Sequence, residues 1–143
     1  MSSFKIKEVY LVDDDAIVRM VASKILRNID FDRTISIFEN GQKAMDEICE
    51  KVSNNEFEDT GEQILLLLDI NMPVMDAWEF LDEFTKLDPK IKKLFLISII
   101  TSSIDSNDRI KAFSYPEVLD YITKPLSGKH IIDFLKKHKL YED

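Results

Sequence analysis

Polar side chains with complementary chemistry stand at the ends of four apolar segments of this sequence. These ends carry Asp13-Asp14, Asp69, Thr101-Ser102 and Lys124. Carboxylates brought within a few ångströms of one another shift their pKa values strongly, so a cation has to join them. Mg²⁺, or Mn²⁺ in its place, prefers carboxylate and phosphate oxygens. Lys124 adds a permanent positive charge, and Thr101-Ser102 adds hydroxyls that can bond a phosphoryl oxygen.

Asp69 is the residue that we expect to react. A carboxylate is already ionised at neutral pH, so it can attack phosphorus without a separate general base and form an aspartyl phosphate. In-line transfer of a phosphoryl group depends mostly on positioning and on neutralising its oxygens. Lys124 and a bound Mg²⁺ would both neutralise them, and the set of residues therefore predicts phosphoryl chemistry at Asp69.

Four consecutive leucines at positions 65–68 run directly into Asp69. An apolar run of this length between polar segments is typical of a strand that is buried on both faces of a parallel sheet. Open α/β sheets bind their ligands at the carboxyl ends of the strands. Asp69 is thus expected at the edge of the sheet where ligands bind.

Apolar segments with strand-like and helix-like spacing alternate along the chain, which is typical of repeated βα units. The predicted strands cover residues 9–12, 34–38, 64–68, 94–100 and 118–122. Right-handed crossovers leave few topologies for five such units. We predict an α/β fold of the flavodoxin-like type, a (βα)5 doubly wound parallel sheet with strand order 2-1-3-4-5.

A helix with an amphipathic stripe is predicted after each strand. The third helix is expected to end at Asp88-Pro89, because the residue before a proline disfavours helical geometry. The last helix is expected to begin near Ser127. Residues 53–63 are polar and acidic, which predicts a surface loop or a helix extension without a role in the core.

Composition limits the class of protein. The chain has 143 residues, of which 45% are hydrophobic, and this fits one domain with its own core. The formal net charge of −8 argues against DNA or an anionic membrane as a partner, since both need a basic surface. One cysteine excludes a disulfide framework, and no segment resembles a signal peptide or a membrane span. We expect one cytoplasmic domain over residues 1–143, with no output domain.

Four motifs follow one another along the chain. They are Val12-Asp13-Asp14, Leu68-Asp69-Ile70-Asn71-Met72-Pro73 with Met75-Asp76, a hydroxyl after the fourth strand, and Tyr121-Ile122-Thr123-Lys124-Pro125. Together they resemble the receiver domain of two-component response regulators, especially stand-alone receivers of the chemotaxis-regulator kind. The resemblance spans nearly the whole chain, with each motif at the end of a predicted strand.

The resemblance implies a role for each residue of the acidic site. Asp69 would be the phosphoacceptor, and Lys124 would pair with the phosphoryl group. Asp14 would ligate Mg²⁺ directly, with Asp13 as its acidic partner. Asn71 would supply a backbone carbonyl to the ion.

The resemblance also implies a switch. Thr101 would be the hydroxyl that moves toward the phosphoryl group, and Tyr121 the aromatic residue that swings inward in response. Counting back from Lys124 with the commonest spacing of the family favours Ser102 as this hydroxyl. The polar run from Thr101 through Asp108 favours Thr101 instead. Tyr121 also fits a simple packing role. Switching would alter the surface formed by the fourth helix, the fifth strand and the fifth helix of the predicted (βα)5 order, here called helix 4, strand 5 and helix 5. A homodimer could also form through this surface.

A receiver would take its phosphoryl group from a sensor histidine kinase or a histidine phosphotransfer protein, and would control a downstream protein target. A phosphatase of the haloacid dehalogenase type is an alternative, but such an enzyme needs a second acid two residues after its nucleophile, where this chain has Asn71. A receiver fold that binds partners without phosphorylation is the other alternative. We therefore expect a signalling phosphoacceptor and not an enzyme.

Overall fold

The computed structural model describes residues 3–142. Strands and helices follow one another as β1 (Ser3–Phe4), β2 (Ile6–Val12), α1 (Ala16–Asn28), β3 (Thr34–Phe38), α2 (Gly41–Ser53), β4 (Gln63–Leu68), α3 (Ala77–Thr85), α4 (Pro89–Lys92), β5 (Phe95–Thr101), α5 (Ser106–Phe113), β6 (Val118–Thr123), α6 (Gly128–Lys137) and β7 (Tyr141–Glu142). The longest helices have 13 residues, and no helix in the described range is long and apolar enough to cross a membrane.

The main sheet has five parallel strands in the order β3-β2-β4-β5-β6. The five strands predicted from the sequence correspond to β2 through β6, so the predicted order 2-1-3-4-5 and the flavodoxin-like fold are confirmed. Helices α1 and α6 cover one face, and α2, α3 and α5 cover the other. The sheet is therefore buried between two helical layers.

The leucine run lies in β4, at the centre of the sheet. Leu66 and Leu68 pack into the core under α2 and α3, whereas Leu65 and Leu67 pack into the core under α1 and α6. Successive side chains of a strand point to opposite faces, so an unbroken apolar run is what a strand with two buried faces requires. This central position holds the residue after Leu68 rigidly at the sheet edge.

Two predictions from the sequence are wrong in detail. The third helix ends at Thr85, and Asp88-Pro89 starts the short helix α4 instead of ending α3. The Asp88 side chain accepts a hydrogen bond from the Lys90 amide, and proline fits the first turn because it has no amide hydrogen to satisfy. Residues 53–63 do contribute to the core, since the Phe57 ring packs edge-on against Phe95 with centroids 5.6 Å apart.

The two ends of the described chain form a small second sheet that the sequence did not predict. Strands β1 and β7 pair in antiparallel orientation, with Phe4 opposite Tyr141. The Phe4 ring also packs edge-on against Phe31, with centroids 5.3 Å apart. This pairing closes the core beneath α1 and α6.

Candidate functional site

Backbone hydrogen bonds continue beyond the strands and hold the polar residues at the carboxyl end of the sheet. The Asp69 amide donates to the carbonyl of Val12 at 2.9 Å, and the Lys124 amide donates to the carbonyl of Thr101 at 2.8 Å. These bonds extend the parallel ladders by one residue, so they fix where the following side chains begin. The site is thus carried by the sheet and not by mobile loops.

Three carboxylates meet at this edge. One oxygen from each of Asp13, Asp14 and Asp69 lies within 4.8 Å of the others. Asp13 is 1% exposed and Asp69 is 7% exposed, whereas Asp14 faces solvent. The sequence predicted this convergence, and the structure places all three residues together.

Lys124 bridges two of the carboxylates. Its Nζ atom lies 2.7 Å from Asp13 Oδ2 and 3.4 Å from Asp69 Oδ1. Burial acts to lower the pKa of Lys124, but its contacts with Asp13 and Asp69 outweigh burial and raise that pKa above the ordinary value. The ammonium therefore stays charged between the two carboxylates at neutral pH.

Asp69 is the carboxylate whose proton affinity is changed most clearly. Burial, together with the negative charge of Asp13, raises its pKa to about 6, although Lys124 acts in the opposite direction. Asp69 is therefore ionised at neutral pH but is held in a site that disfavours its charge. A cation or an electrophilic phosphorus atom would relieve that cost.

The donor set fits a hard divalent cation. Mg²⁺ binds oxygen ligands in octahedral geometry and keeps several waters, so two or three carboxylates with one solvent-facing side suit it. Asp14 provides that side because it is exposed. Asn71 is also exposed, two residues after Asp69 in the loop that follows β4.

Asp13 is held by two residues whose part in the site the sequence did not indicate. Its Oδ1 atom accepts a hydrogen bond from the Asp15 amide at 2.9 Å, and its carbonyl accepts one from Arg19 Nη1 at 2.6 Å. The Asp15 side chain caps α1 by accepting from the Ile17 amide, as acids commonly do. Arg19 lies in the second turn of α1, and no rule of residue spacing predicts that its side chain contacts the Asp13 carbonyl.

The loop after Asp69 is fixed from the side by α2. The Gly41 amide donates to the Met75 carbonyl at 3.1 Å, and a Cβ atom at position 41 would come within 2.8 Å of that oxygen. Within the same loop, Val74 has φ of 69° and is exposed. A β-branched residue rarely adopts this left-handed region, which indicates backbone strain five residues after Asp69.

Thr101 and Ser102 occupy different environments. Thr101 is the last residue of β5 and is 1% exposed, and its Oγ1 atom accepts a hydrogen bond from the Ser103 amide at 3.1 Å. Ser102 faces solvent and lines a groove beside α1. Thr101 is also bonded through its carbonyl to the amide of Lys124. The structure thus ties Thr101, more than Ser102, to the acidic site.

Residues 9–136 match the family described as the response regulator receiver domain. This match covers most of the chain, from within β2 to within α6. The chain belongs to the receiver domain family of response regulators. The flavodoxin-like sheet is thus that of a receiver.

Individual relatives agree with this assignment. The response regulator Rcp1 of Synechocystis sp. is 26% identical to the receiver over 91% of this chain and 84% of its own length. The solved structure of a two component response regulator from Cytophaga hutchinsonii is 28% identical, with a TM-score of 0.75 over 92% of this chain and 96% of that one. A protein-glutamate methylesterase/protein-glutamine glutaminase of Paramagnetospirillum magneticum is 30% identical over 88% of this chain, which spans only 30% of that protein's length.

An apolar groove lies beside the acidic site of the receiver. Its volume is about 360 Å³, and its lining includes Ile17 and Val21 of α1 together with Pro125 and Leu126, which follow β6. Lys124 forms the polar end of the groove, and the Lys124-Pro125 peptide bond is cis. Ile17 is 66% exposed and Val21 is 41% exposed. Large apolar side chains left open at one place are typical of a surface that binds a partner.

Proposed function

We propose that this chain is a response regulator whose Asp69 accepts a phosphoryl group from a histidine residue of a sensor histidine kinase or a phosphotransfer protein. The observation that carries the proposal is the position of Lys124, whose ammonium touches both Asp13 and Asp69 beside a cluster of three carboxylates. Such a site binds a cation and a phosphoryl group together and places a nucleophilic oxygen next to them. The relative Rcp1, of whose length the chain covers 84%, is itself called a response regulator, which supports the proposal.

The proposed reaction is a phosphoryl transfer between two side chains. An Asp69 carboxylate oxygen forms a bond to phosphorus while the phosphorus–nitrogen bond of the donor histidine breaks, and the departing imidazole nitrogen takes up a proton from water. Lys124 neutralises a phosphoryl oxygen during this transfer. Bound Mg²⁺ would neutralise the remaining phosphoryl charge, held by Asp13, Asp14, Asp69 and the backbone carbonyl of Asn71.

The signal would pass from Asp69 to the partner surface through Thr101 and Tyr121. Thr101 is the hydroxyl that we assign to this step, because it is buried and joined to Lys124 by a backbone hydrogen bond. A bond from its hydroxyl to the phosphoryl group would favour one of two arrangements of α5, β6 and α6. That surface would then bind a downstream protein or a second copy of the chain.

The proposed role is that of a phosphoacceptor and not of an enzyme that turns over a separate substrate. A phosphatase of the haloacid dehalogenase type would need an acid where Asn71 stands, and this residue is exposed and not ionisable. Binding of partners without phosphorylation would make no use of a partly buried lysine held between two acids. Slow loss of the phosphoryl group to water, assisted by the same site, would reset the switch.

Uptake of one phosphoryl group at Asp69 is the first test. The chain incubated with acetyl phosphate and Mg²⁺ is expected to gain the mass of one phosphoryl group in intact-protein mass spectrometry. Asp69→Asn should gain none, because the amide is not a nucleophile, whereas Asp88→Asn, which alters only the cap of the short helix α4, should gain as much as wild type. Equal uptake by the Asp69 variant, or none by wild type, would refute the assignment.

The groove beside α1 leads to a second prediction, on the donor protein. Ile17→Ser with Val21→Ser should weaken phosphotransfer from a cognate histidine donor at least tenfold, since burial of two such side chains contributes about 3 kcal/mol. Uptake from acetyl phosphate, which needs no docking surface, should not change. Ile110→Ser is the matched control, because Ile110 is equally exposed but lies on α5, across the sheet. If the double variant lost phosphoryl uptake equally from acetyl phosphate and from the histidine donor, the substitutions would have damaged the acidic site and not docking of the donor.

A further inference from the structure

Tyr121 already lies inward in this structure. Its side chain is 8% exposed and belongs to the core on the α5 side of the sheet. Its buried hydroxyl is near Ser103 but makes no hydrogen bond of good geometry within residues 3–142. A buried hydroxyl without a partner favours the exposed position, where water would bond it. Packing of the ring in this core offsets part of that cost, and a further contact can add to the preference for the inward position.

Arg109 of α5 makes that contact. Its guanidinium carbon lies over the Tyr121 ring, 5.4 Å from the ring centroid, and over the Phe113 ring, 5.2 Å from that centroid. The guanidinium thus contacts one aromatic ring from the helix and one from β6. Arginine suits such a place because its planar, weakly hydrated charge stacks on aromatic faces.

The turn of α5 that carries Arg109 is joined to Thr101 by hydrogen bonds. The Ser103 amide donates to Thr101 Oγ1 at 3.1 Å, and the Ser103 hydroxyl donates to Asp108 Oδ2 at 2.6 Å. Asp108 is the neighbour of Arg109 in the first turns of the helix. A shift of Thr101 would therefore reach Arg109 through two hydrogen bonds and one peptide unit.

We propose that Arg109 is a positioning residue of the switch, whose guanidinium holds Tyr121 inward before Asp69 carries a phosphoryl group. This inference rests on the proposed function and deepens it, because it makes α5 a determinant of the resting state. The ratio of inward to outward Tyr121 is then set by Arg109 as well as by the chemistry at Asp69.

The test measures exposure of the Tyr121 ring in the full chain without a phosphodonor. Ring-labelled tyrosine is incorporated, the Tyr121 signal is assigned by its loss in Tyr121→Phe, and its relaxation by a neutral paramagnetic agent is recorded by NMR. The matched control is Lys111→Met, which removes the same charge from the same helix but breaks a contact with the Trp78 ring, 4.9 Å from Lys111 Nζ. Arg109→Lys keeps the charge and loses the planar group.

Arg109→Met is expected to raise the ratio of outward to inward Tyr121 about two- to fivefold, the effect of one partly exposed cation–π contact. Arg109→Lys should lie between this variant and wild type, and Lys111→Met should match wild type. An unchanged Tyr121 signal in Arg109→Met, or an equal change in Lys111→Met, would overturn the proposal. Phosphoryl uptake is measured separately, by mass spectrometry on the same samples. Absence of uptake by wild type would refute the phosphoacceptor role but would leave the measured exposure of the Tyr121 ring unaffected.

Discussion

Replacing Lys124 with methionine is expected to lower the free energy of unfolding of the metal-free protein by about 3 kcal/mol, the usual cost of leaving one member of a buried ion pair alone. Asp13 is almost fully buried, and the shortest contact of its carboxylate is with Lys124 Nζ at 2.7 Å. Without the ammonium, the Asp13 carboxylate would keep only the hydrogen bond from the Asp15 amide among its contacts within residues 3–142. Asp69, 3.4 Å from the same nitrogen, would lose its nearest cation too.

Urea unfolding in the presence of a chelator measures this loss. Lys129→Met is the matched control, because Lys129 pairs with Asp133 at 3.5 Å on the open surface of α6, where such pairs contribute less than about 1 kcal/mol. Adding Asp13→Asn to Lys124→Met should recover part of the stability, since it removes the charge that was left unpaired. A cost no larger than that of Lys129→Met would show that Lys124 does not compensate the buried acid.

The sequence was sufficient to predict the residues of the acidic site because each one directly follows a strand. A buried strand such as β4 is recognised by its apolar run, and parallel strands bring their carboxyl ends to one edge. Asp13, Asp69 and Lys124 then meet wherever the loops go, and the distances among them agree with this expectation. The assignment of their roles stays a prediction.

The supporting contacts could not be predicted in the same way. Arg19 reaches the Asp13 carbonyl from the second turn of α1, and Gly41 meets Met75 across two loops. Neither contact follows from a period of 2 or 3.6 residues, because long side chains and loop backbones are not bound to a strand register. Arg109 over Tyr121 belongs to the same class, since its position depends on how α5 lies against β6.

Short or isolated features were missed for a different reason. Helix α4 has four residues and β1 and β7 have two each, which is too few for a periodic pattern to appear. Phe57 is a single aromatic residue in an acidic segment, and its burial comes from the approach of Phe95 in a distant strand. Local composition gave no sign of a contact that only the tertiary fold creates.

Removing the charge of Asp69 with Asp69→Asn is expected to stabilise the metal-free protein at pH 8 by about 1–2 kcal/mol. Burial and the nearby Asp13 raise the pKa of Asp69 to about 6, above the ordinary value of 3.8. Between these two pH values the folded protein keeps a proton that the unfolded chain has lost, so the free energy of unfolding falls as pH rises through this window. The full shift of the Asp69 pKa corresponds to about 3 kcal/mol in the free energy of unfolding, and screening by solvent reduces this value.

The difference in stability between Asp69→Asn and wild type should therefore be small at pH 4, grow up to about pH 6.5 and then stay constant, as measured by urea unfolding with a chelator present. Mg²⁺ should stabilise wild type more than the variant, because the ion binds the folded site and the variant has lost one of its carboxylates. Asp14→Asn is the matched control, since Asp14 belongs to the same cluster but faces solvent and should show a smaller gain. If wild type and Asp69→Asn unfolded at the same urea concentration at pH 8, the site would not disfavour the charge of Asp69. There would then be no electrostatic cost at Asp69 for a phosphoryl group and its metal ion to relieve.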